Sequence, residues 1–251
     1  MSLQGKNIVL TRARRQCAGL LRELTEKGAS VRVAPLIQTE PIHSENTDLQ
    51  LADLGRFGWI VFTSTNGVRY FQQRLSLLRL HLPQTVRVAV IGPATAAAVN
   101  EFGWKVSLVP TRADSEGLAN AFEKEPIKGE PIALFVAERT RDVLPAALEK
   151  QGAVVTQVPL YRTMPDPTGV SVLKGIRWSR TDAVVFMSGS AAEVFATSAP
   201  VCWNESDVRL CAVGSITERR MRELRLRVDL VAQEPSAKDV IKVLEEGLNG
   251  R

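Results

Sequence analysis

The sequence predicts an α/β protein made of two similar, doubly wound (flavodoxin-like) parallel-sheet domains. Three observations predict this. The first is the stretch 86–110, VRVAVIGPATAAAVNEFGWKVSLVP, which reads as strand, tight turn, helix, strand. The second is its echo, VRLCAVGSITERRMRELRLRVDLV at 208–231, in which Gly214 matches Gly92 and Thr217 matches Thr95. The third is the reach of that self-similarity. Gly28 and Gly152, Pro35 and Pro159, Ser64 and Ser188, and Phe71 and Phe195 are all 124 positions apart, while Gly92 and Gly214 are 122 apart. Two residues are therefore lost between Phe195 and Gly214. A repeat this long argues for two copies of one domain-sized αβ unit, not for a short solenoid repeat.

The elements follow in order. Residues 7–11 (NIVLT) form the first strand. A helix over 16–27 places Cys17, Leu20, Leu21 and Leu24 on one face and stops at Gly28. Residues 30–36 form the second strand, and 40–55 are polar and loop-like with a weak helical stretch. GWIVF at 58–62 is the third strand, followed by the turn Thr63-Ser64-Thr65-Asn66-Gly67 and a helix over 68–80. Next come the strand 86–91, the break at Gly92-Pro93, the helix 94–102 with Gly103 as its stop, and the strand 105–109. Asp114 caps a helix over 115–124. The second copy starts near Gly129, with a strand over 131–136, a helix over 141–151 and a strand over 153–161. TDAVVFM at 181–187 echoes GWIVF, Ser188-Gly189-Ser190-Ala191 is its turn, and a helix follows from about Glu193. Ser236 with Asp239 three residues later is a capping-box signature for the last helix.

Composition bounds the function. The chain has 251 residues, 45% hydrophobic and 24% charged, ordinary for a globular protein. No apolar run reaches the length of a membrane span, and the N-terminus lacks a secretory apolar region with a cleavage site, so a cytoplasmic location is expected. Three cysteines without a CxxC, and only His43 and His81, suit neither a disulfide framework nor a histidine-rich metal site. Cys17 and Cys211 are expected to be buried thiols. The net charge of +5 suggests an anionic partner. With scattered basic residues, no zinc motif, no basic zipper region and no aromatic-basic stripe, an acidic small molecule fits better than nucleic acid.

In doubly wound sheets, ligands lie beyond the carboxyl ends of the strands. The loops predicted there are 11–15, 63–67, 92–95, 137–141, 188–190 and 214–217, rich in hydroxyls, small residues and arginines. Such loops suit carboxylates or phosphates held by hydroxyls, backbone N–H groups and helix N-termini. Taken singly, a serine or threonine at a strand-to-helix turn is more often an N-cap than a ligand, and Arg12, Arg139 and Arg141 could be solvated surface charges. Neither GxGxxG, nor GxxxxGK[ST], nor GxSxG occurs, and Asp182 and Glu138 lack a partner carboxylate at readable spacing. One position stands out because the repeat breaks there: VAPLIQT (33–39) and QVPLYRT (157–163) differ at Ile37 and Tyr161. Only one other tyrosine exists, Tyr70, which sits in a helix and reads as core or a half-buried face. A phenol at Tyr161 can donate a proton to a leaving group or bind a carboxylate; a strand aromatic with its hydroxyl at the surface is the alternative.

At this point the chain resembles uroporphyrinogen-III synthase over nearly its whole length. The resemblance rests on VLTRAR at 9–14, FTSTNGV at 62–68, IGPATA at 91–96, R-x-R-x-x-L at 139–144, VPLYRT at 158–163, FMSGSA at 186–191 and VGSIT at 213–217. The second copy departs from the family pattern where Gly214-Ser215-Ile216 replaces a Gly-Pro-Thr type of turn. The resemblance implies domains of 1–37 with 165–251 and of 38–164, linked by two strands over 31–38 and 155–162. It implies a substrate cleft between them, with hinge motion. It also implies a lyase reaction without metal or cofactor. Hydroxymethylbilane, a linear tetrapyrrole with eight carboxylates, loses water at its hydroxymethyl end, and the azafulvene is attacked at the substituted carbon of the far ring. The spiro intermediate then fragments and recloses with ring D inverted, giving uroporphyrinogen III for tetrapyrrole (heme) biosynthesis.

By the same carry-over, Tyr161 is the candidate acid. Arg12, Ser64, Thr65, Thr95, Arg139, Ser188, Gly189, Ser190 and Thr217 are the candidate substrate-binding residues. The resemblance further implies a monomer that binds neither nucleic acid nor membrane and leaves room for substrate hand-over from the preceding pathway enzyme. A rival from another class is a non-catalytic two-domain sensor that closes around a small anion.

Overall fold

The computed structural model describes residues 2–140 and 143–249. In chain order the elements are β1 (Asn7–Leu10), α1 (Ala18–Glu26), β2 (Ser30–Val33), β3 (Ile37–Pro41), α2 (Glu45–Ala52), β4 (Trp59–Phe62), α3 (Thr65–Leu78), β5 (Arg87–Val90), α4 (Pro93–Glu101), α5 (Ser115–Phe122), β6 (Pro131–Ala137), α6 (Val143–Lys150), β7 (Val154–Pro165), α7 (Pro167–Lys174), β8 (Ala183–Phe186), α8 (Gly189–Ser198), β9 (Arg209–Val213), α9 (Ser215–Glu223), β10 (Leu230–Ala232) and α10 (Ala237–Asn249). They gather into two compact units, Met1–Gln38 with Met164–Arg251, and Thr39–Thr163. We call these unit 1 and unit 2. No helix among the described residues is long and apolar enough to cross a membrane.

Local chemistry explains the boundaries. The side chains of Ser44, Ser64, Asp114, Asp166 and Ser188 each accept a backbone N–H in the first turn of the helix that follows. At the last helix Ser236 accepts the N–H of Asp239 at 3.2 Å, while the Asp239 carboxylate reaches back to the N–H of Glu234 at 2.9 Å. That is a capping box whose return bond falls two residues upstream of the usual position. Gly28 ends the first helical region at φ +87°, a left-handed conformation that favours glycine.

Several elements depart from their sequence-based bounds. The regular strand expected over 30–36 ends at Val33, although the N–H groups of Ala34 and Leu36 still donate to the carbonyls of Leu10 and Thr11 at 2.9 and 3.1 Å. A separate strand, β3, begins at Ile37, so the linking strand expected over 31–38 is two strands. The segment 105–109 alternates in burial but makes only one bridge, Ala89 to Leu108, and forms no strand. Its counterpart in the second copy is β10, fully paired with β9. Helices α3 and α8 begin at Thr65 and Gly189, earlier than expected, because Ser64 and Ser188 are themselves the caps. Helix α7 was not anticipated, although Asp166-Pro167 is a readable cap followed by proline at the first helical position. The expected helix start at Arg141 lies outside the described residues.

In unit 1 the sheet order is β10-β9-β8-β1-β2. Counted along the chain within the unit, that is 2-1-3-4-5, the flavodoxin-like order, and all four pairings are parallel. In unit 2 the order is β3-β7-β6-β4-β5. Counting from β4 reproduces 2-1-3-4, and the fifth place is taken by β3, which comes first in the unit's own sequence. The pairings β4–β5, β4–β6 and β6–β7 are parallel.

The inner strands β1, β4, β6, β8 and β9 are buried on both faces and read as nearly continuous apolar runs. Ile60, Phe62, Ala133 and Phe135 look into one core of unit 2, and Trp59, Val61, Ile132 and Leu134 into the other. In unit 1 Val9, Val184, Phe186 and Leu210 face one core, and Ile8, Leu10, Val185 and Cys211 the other. The repeat persists at side-chain level. Phe71 packs edge-on against Phe62 at 5.2 Å, and its counterpart Phe195 packs edge-on against Phe186 at 5.0 Å. Each ring is also an aromatic hub, Phe71 with Phe135 and Trp104, Phe195 with Trp178 and Trp203.

Truncating either hub leaves a cavity in a core with no exposed edge to collapse into. Phe71→Ala and Phe195→Ala are each expected to cost about 3–5 kcal/mol, read as a fall in the denaturant midpoint. Leu77→Ala, on a side chain that is 61% exposed, should change stability by less than about 0.5 kcal/mol. Equal effects of all three would overturn the assignment of the hubs.

Candidate active site

The carboxyl end of β4 opens into α3 through Ser64, whose backbone is extended (φ −162°, ψ 156°). Its hydroxyl oxygen accepts the N–H of Gly67 at 2.9 Å and lies 2.9 Å from the hydroxyl of Tyr161. One strand, β6, lies between the two that carry these residues, since β4 pairs with β6 and β6 with β7. Two strand spacings are about 9.5 Å, a gap that an extended phenol and one hydrogen bond span. The end of β6 is held to Tyr161 directly: Ala137 is its register partner, after a shift at Val136, and the N–H of Glu138 donates to the Tyr161 carbonyl at 2.8 Å. Gly67 is required by packing. A Cβ there would stand 2.9 Å from the carbonyl oxygen of Phe135, so only glycine lets the first turn of α3 sit so close to β6.

Tyr161 is 7% exposed and belongs to the Phe62–Phe71–Phe135 core. Its ring stacks on that of Tyr70, with centroids 5.2 Å apart and planes 16° from parallel. Tyr70 is not a plain core residue. Its hydroxyl donates to the carbonyl oxygen of Thr39 at 2.7 Å and lies 3.0 Å from the Thr39 hydroxyl. Burial pushes the Tyr161 phenol above the ordinary tyrosine range; the hydrogen bond with Ser64 pulls it partly back, and the neighbouring Tyr70 adds a smaller upward push. At neutral pH the phenol therefore keeps its proton and acts as a donor.

The other sequence-predicted residues occupy the same edge of their own sheets. In unit 2, Thr65 is the first residue of α3, and Arg139 is exposed just past the end of β6. Thr95 is the third residue of α4, 4% exposed. In unit 1, Arg12 follows β1 and donates through Nε to the Gln16 side chain at 3.2 Å. Ser188 caps α8 by accepting the N–H of Ala191 at 3.3 Å, and Gly189 and Ser190 form its first turn. Thr217 is the third residue of α9, also 4% exposed. Ser64 and Ser188 are thus helix caps, but Ser64 has a second partner. Thr95 and Thr217 cap nothing, and neither makes a side-chain hydrogen bond among the described residues. The turn that departs from the family pattern uses a left-handed Gly214 at φ +81°, whereas Gly92 is extended at φ 174°; Thr217 still reaches the third helical position.

Sequence reasoning foresaw neither the ring contact of Tyr70 nor the placement of Arg220. Arg220 packs across Gly189, where a Cβ would meet its side chain at 2.8 Å, and pairs with Glu193 and Glu223. A signal for Tyr70 was available: 124 positions on stands Val194, so both tyrosines fall where the copies differ. Among the described residues no group of three or more His, Cys, Asp or Glu is placed to hold a metal ion. Cys17 and Cys211 are buried as expected, and burial pushes the Cys211 thiol up to about 12, which leaves no thiolate at neutral pH.

The two capping serines give a paired expectation. Ser64→Ala and Ser188→Ala should each cost about 1 kcal/mol of stability through the lost cap. Only Ser64→Ala also removes the bond that favours the Tyr161 phenolate, so the spectrophotometric midpoint of tyrosine ionisation should rise in that variant and stay put in Ser188→Ala. A fall in the midpoint of Ser64→Ala would contradict the geometry.

A family model described as uroporphyrinogen-III synthase HemD matches residues 19–242. The chain is 29% identical to uroporphyrinogen-III synthase of Synechococcus elongatus over 255 aligned residues, covering 97% of this chain and 96% of that one. It is 24% identical to the synthase of Chlorobaculum parvum over 248 residues, covering 97% and 99%. Among solved structures, a mutant uroporphyrinogen III synthase from Thermus thermophilus is similar with a TM-score of 0.68 at 22% identity, covering 98% of this chain and 100% of that one. The enzyme from Helicobacter pylori is similar with a TM-score of 0.67 at 18% identity over the same shares. The two solved structures support the fold alone. The sequence match, spanning both units from α1 to α10, settles the family: the chain belongs to the uroporphyrinogen-III synthases.

Proposed function

We propose that the chain is a lyase that cyclises hydroxymethylbilane to uroporphyrinogen III, and that Tyr161 is its acid. The observation that carries the residue assignment is the buried, protonated Tyr161 phenol, hydrogen-bonded to Ser64 at 2.9 Å. In the first step the carbon–oxygen bond at the hydroxymethyl end breaks. Tyr161 gives its proton to the departing hydroxyl, which leaves as water with the bonding electron pair. Ser64, whose hydrogen bond favours the ionised phenol, steadies the phenolate until a proton returns. The substituted carbon of the far ring then attacks the methylene carbon of the azafulvene to form a spiro intermediate. The bond from that ring carbon to its original bridging carbon breaks, and the freed bridging carbon bonds to the ring's unsubstituted α-carbon, which loses its proton, so that ring D is inverted. Folding the chain ends together is the larger part of the work.

The substrate's carboxylates are held by Ser64, Thr65, Thr95 and Arg139 from unit 2 and by Arg12, Ser188, Gly189, Ser190 and Thr217 from unit 1. Backbone N–H groups at the starts of α3, α4, α8 and α9 assist. The first N–H groups of a helix lack intrahelical partners and carry the positive end of its dipole. A net charge of +5 favours such a polyanion at long range. The same reading has the chain working without cofactor or metal, as a cytoplasmic monomer that takes its substrate from the preceding pathway enzyme.

Product analysis with freshly generated hydroxymethylbilane tests the reaction. The bilane closes unaided to the type I isomer, so a dominant type III product is expected. Type I alone, at the uncatalysed rate and with folded protein, would overturn the proposal and bring forward a non-catalytic anion sensor. Tyr161→Phe tests the acid: turnover should fall about a hundredfold while product binding changes little. Unchanged turnover would remove Tyr161 from the chemistry.

A further inference from the structure

We infer that Tyr70 is a positioning residue for Tyr161, fixing the plane of its ring so that the hydroxyl stays aimed at Ser64 and at the substrate. The inference rests on the acid role proposed for Tyr161. Its first support is geometric. Tyr161 is held at two points by one helix. The cap of α3, Ser64, fixes the hydroxyl oxygen at 2.9 Å. Tyr70, six residues on and so about 9 Å along the helix axis, covers the ring face at 5.2 Å and 16°. A hydrogen bond alone leaves a phenol free to pivot about its oxygen, and a stacked neighbour removes that freedom.

Tyr70 is itself anchored. Its hydroxyl donates to the Thr39 carbonyl at 2.7 Å and meets the Thr39 hydroxyl at 3.0 Å, which ties its ring to β3. That proton is committed to Thr39, so Tyr70 is no second acid. It acts through the ring, and it also helps keep the Tyr161 phenol protonated.

The internal repeat supplies an independent argument. Phe62, Ser64 and Phe71 of unit 2 have counterparts in Phe186, Ser188 and Phe195 of unit 1, so the scaffold and its cap exist twice. The counterparts of Tyr161 and Tyr70 are Ile37 and Val194. Unit 1 folds on the same scaffold with neither ring. The fold therefore does not need the pair, and the two tyrosines stand in the copy that carries the acid.

The test uses Tyr70→Phe, which keeps the ring and loses the anchor, and Tyr70→Leu, which loses both, each alone and combined with Tyr161→Phe. With only two tyrosines in the chain, either Tyr70 variant leaves Tyr161 as the sole phenol, and its ionisation can be read from phenolate absorbance without overlap. Tyr70→Leu is expected to lower kcat about tenfold with KM changed less than about threefold, and Tyr70→Phe to fall between it and the parent. The Tyr161 midpoint should drop further toward 10.0 in Tyr70→Leu than in Tyr70→Phe. In the Tyr161→Phe background Tyr70→Leu should add nothing, because no hydroxyl remains to aim; a purely structural role would cost the same in both backgrounds. Full turnover in Tyr70→Leu beside an impaired Tyr161→Phe overturns this inference alone. A fully active Tyr161→Phe overturns the acid role and this inference with it. Tyr70→Phe, with its ring still in place, keeps the test readable where Tyr70→Leu does not fold.

Discussion

A parallel strand cannot be joined to its neighbour by a hairpin; the chain must cross over, and in this protein it crosses through helices. That constraint organises both units. The ends of β1, β4, β5, β8 and β9 all open onto the amino end of a helical segment, and in each sheet those ends share one edge. Hydroxyls, small residues and helix dipoles are thereby brought to one rim of each sheet. The caps that follow β4 and β8, Ser64 and Ser188, are also among the groups the candidate site draws on.

Ser64 shows how one atom serves both demands. As a cap it accepts the Gly67 N–H, which leaves its own proton and a lone pair for Tyr161. Its counterpart Ser188 caps in the same way and has no tyrosine to meet. The two units share hydrophobic scaffolding down to the aromatic hubs at Phe71 and Phe195 yet differ in what stands beside the cap. Duplicated folds carry this economy: packing positions are constrained in both copies by the volume they fill, while positions outside that scaffold are free to diverge.

The glycines tell a related story. Gly67 allows α3 to touch the backbone of β6, and in unit 1 the same position is Ala191. Gly169 stands where a Cβ would collide with the carbonyl oxygen of Pro35, so α7 lies directly on the segment that leaves β2. Close approach of backbone to backbone, not a special dihedral, is what these positions demand.

Much of this was legible in the residues. Apolar runs of strand length, the helix caps at Asp114 and Ser236, the 124-residue repeat and the family motifs are all readable in the residues, and apart from the strand over 105–109 the elements they predict are present with ends shifted by a few residues. The family and its chemistry followed from motifs in order. What the sequence could not decide is pairing across distance. The segment 105–109 carries a strand pattern yet makes one bridge, because strand formation needs a partner with free N–H and C=O groups along its length. Tyr70 reads as core or a half-buried face and is half-buried, but period alone cannot say which ring it meets. Ser64 and Tyr161 are 97 residues apart in sequence and 2.9 Å apart in space. By itself the sequence determined the elements, their repeat and the family, since propensity, capping and hydrophobic period act over a few residues. Only the tertiary structure decided which hydroxyl meets which, because sheet order and register, set by packing on both faces of each sheet, bring distant strand ends together.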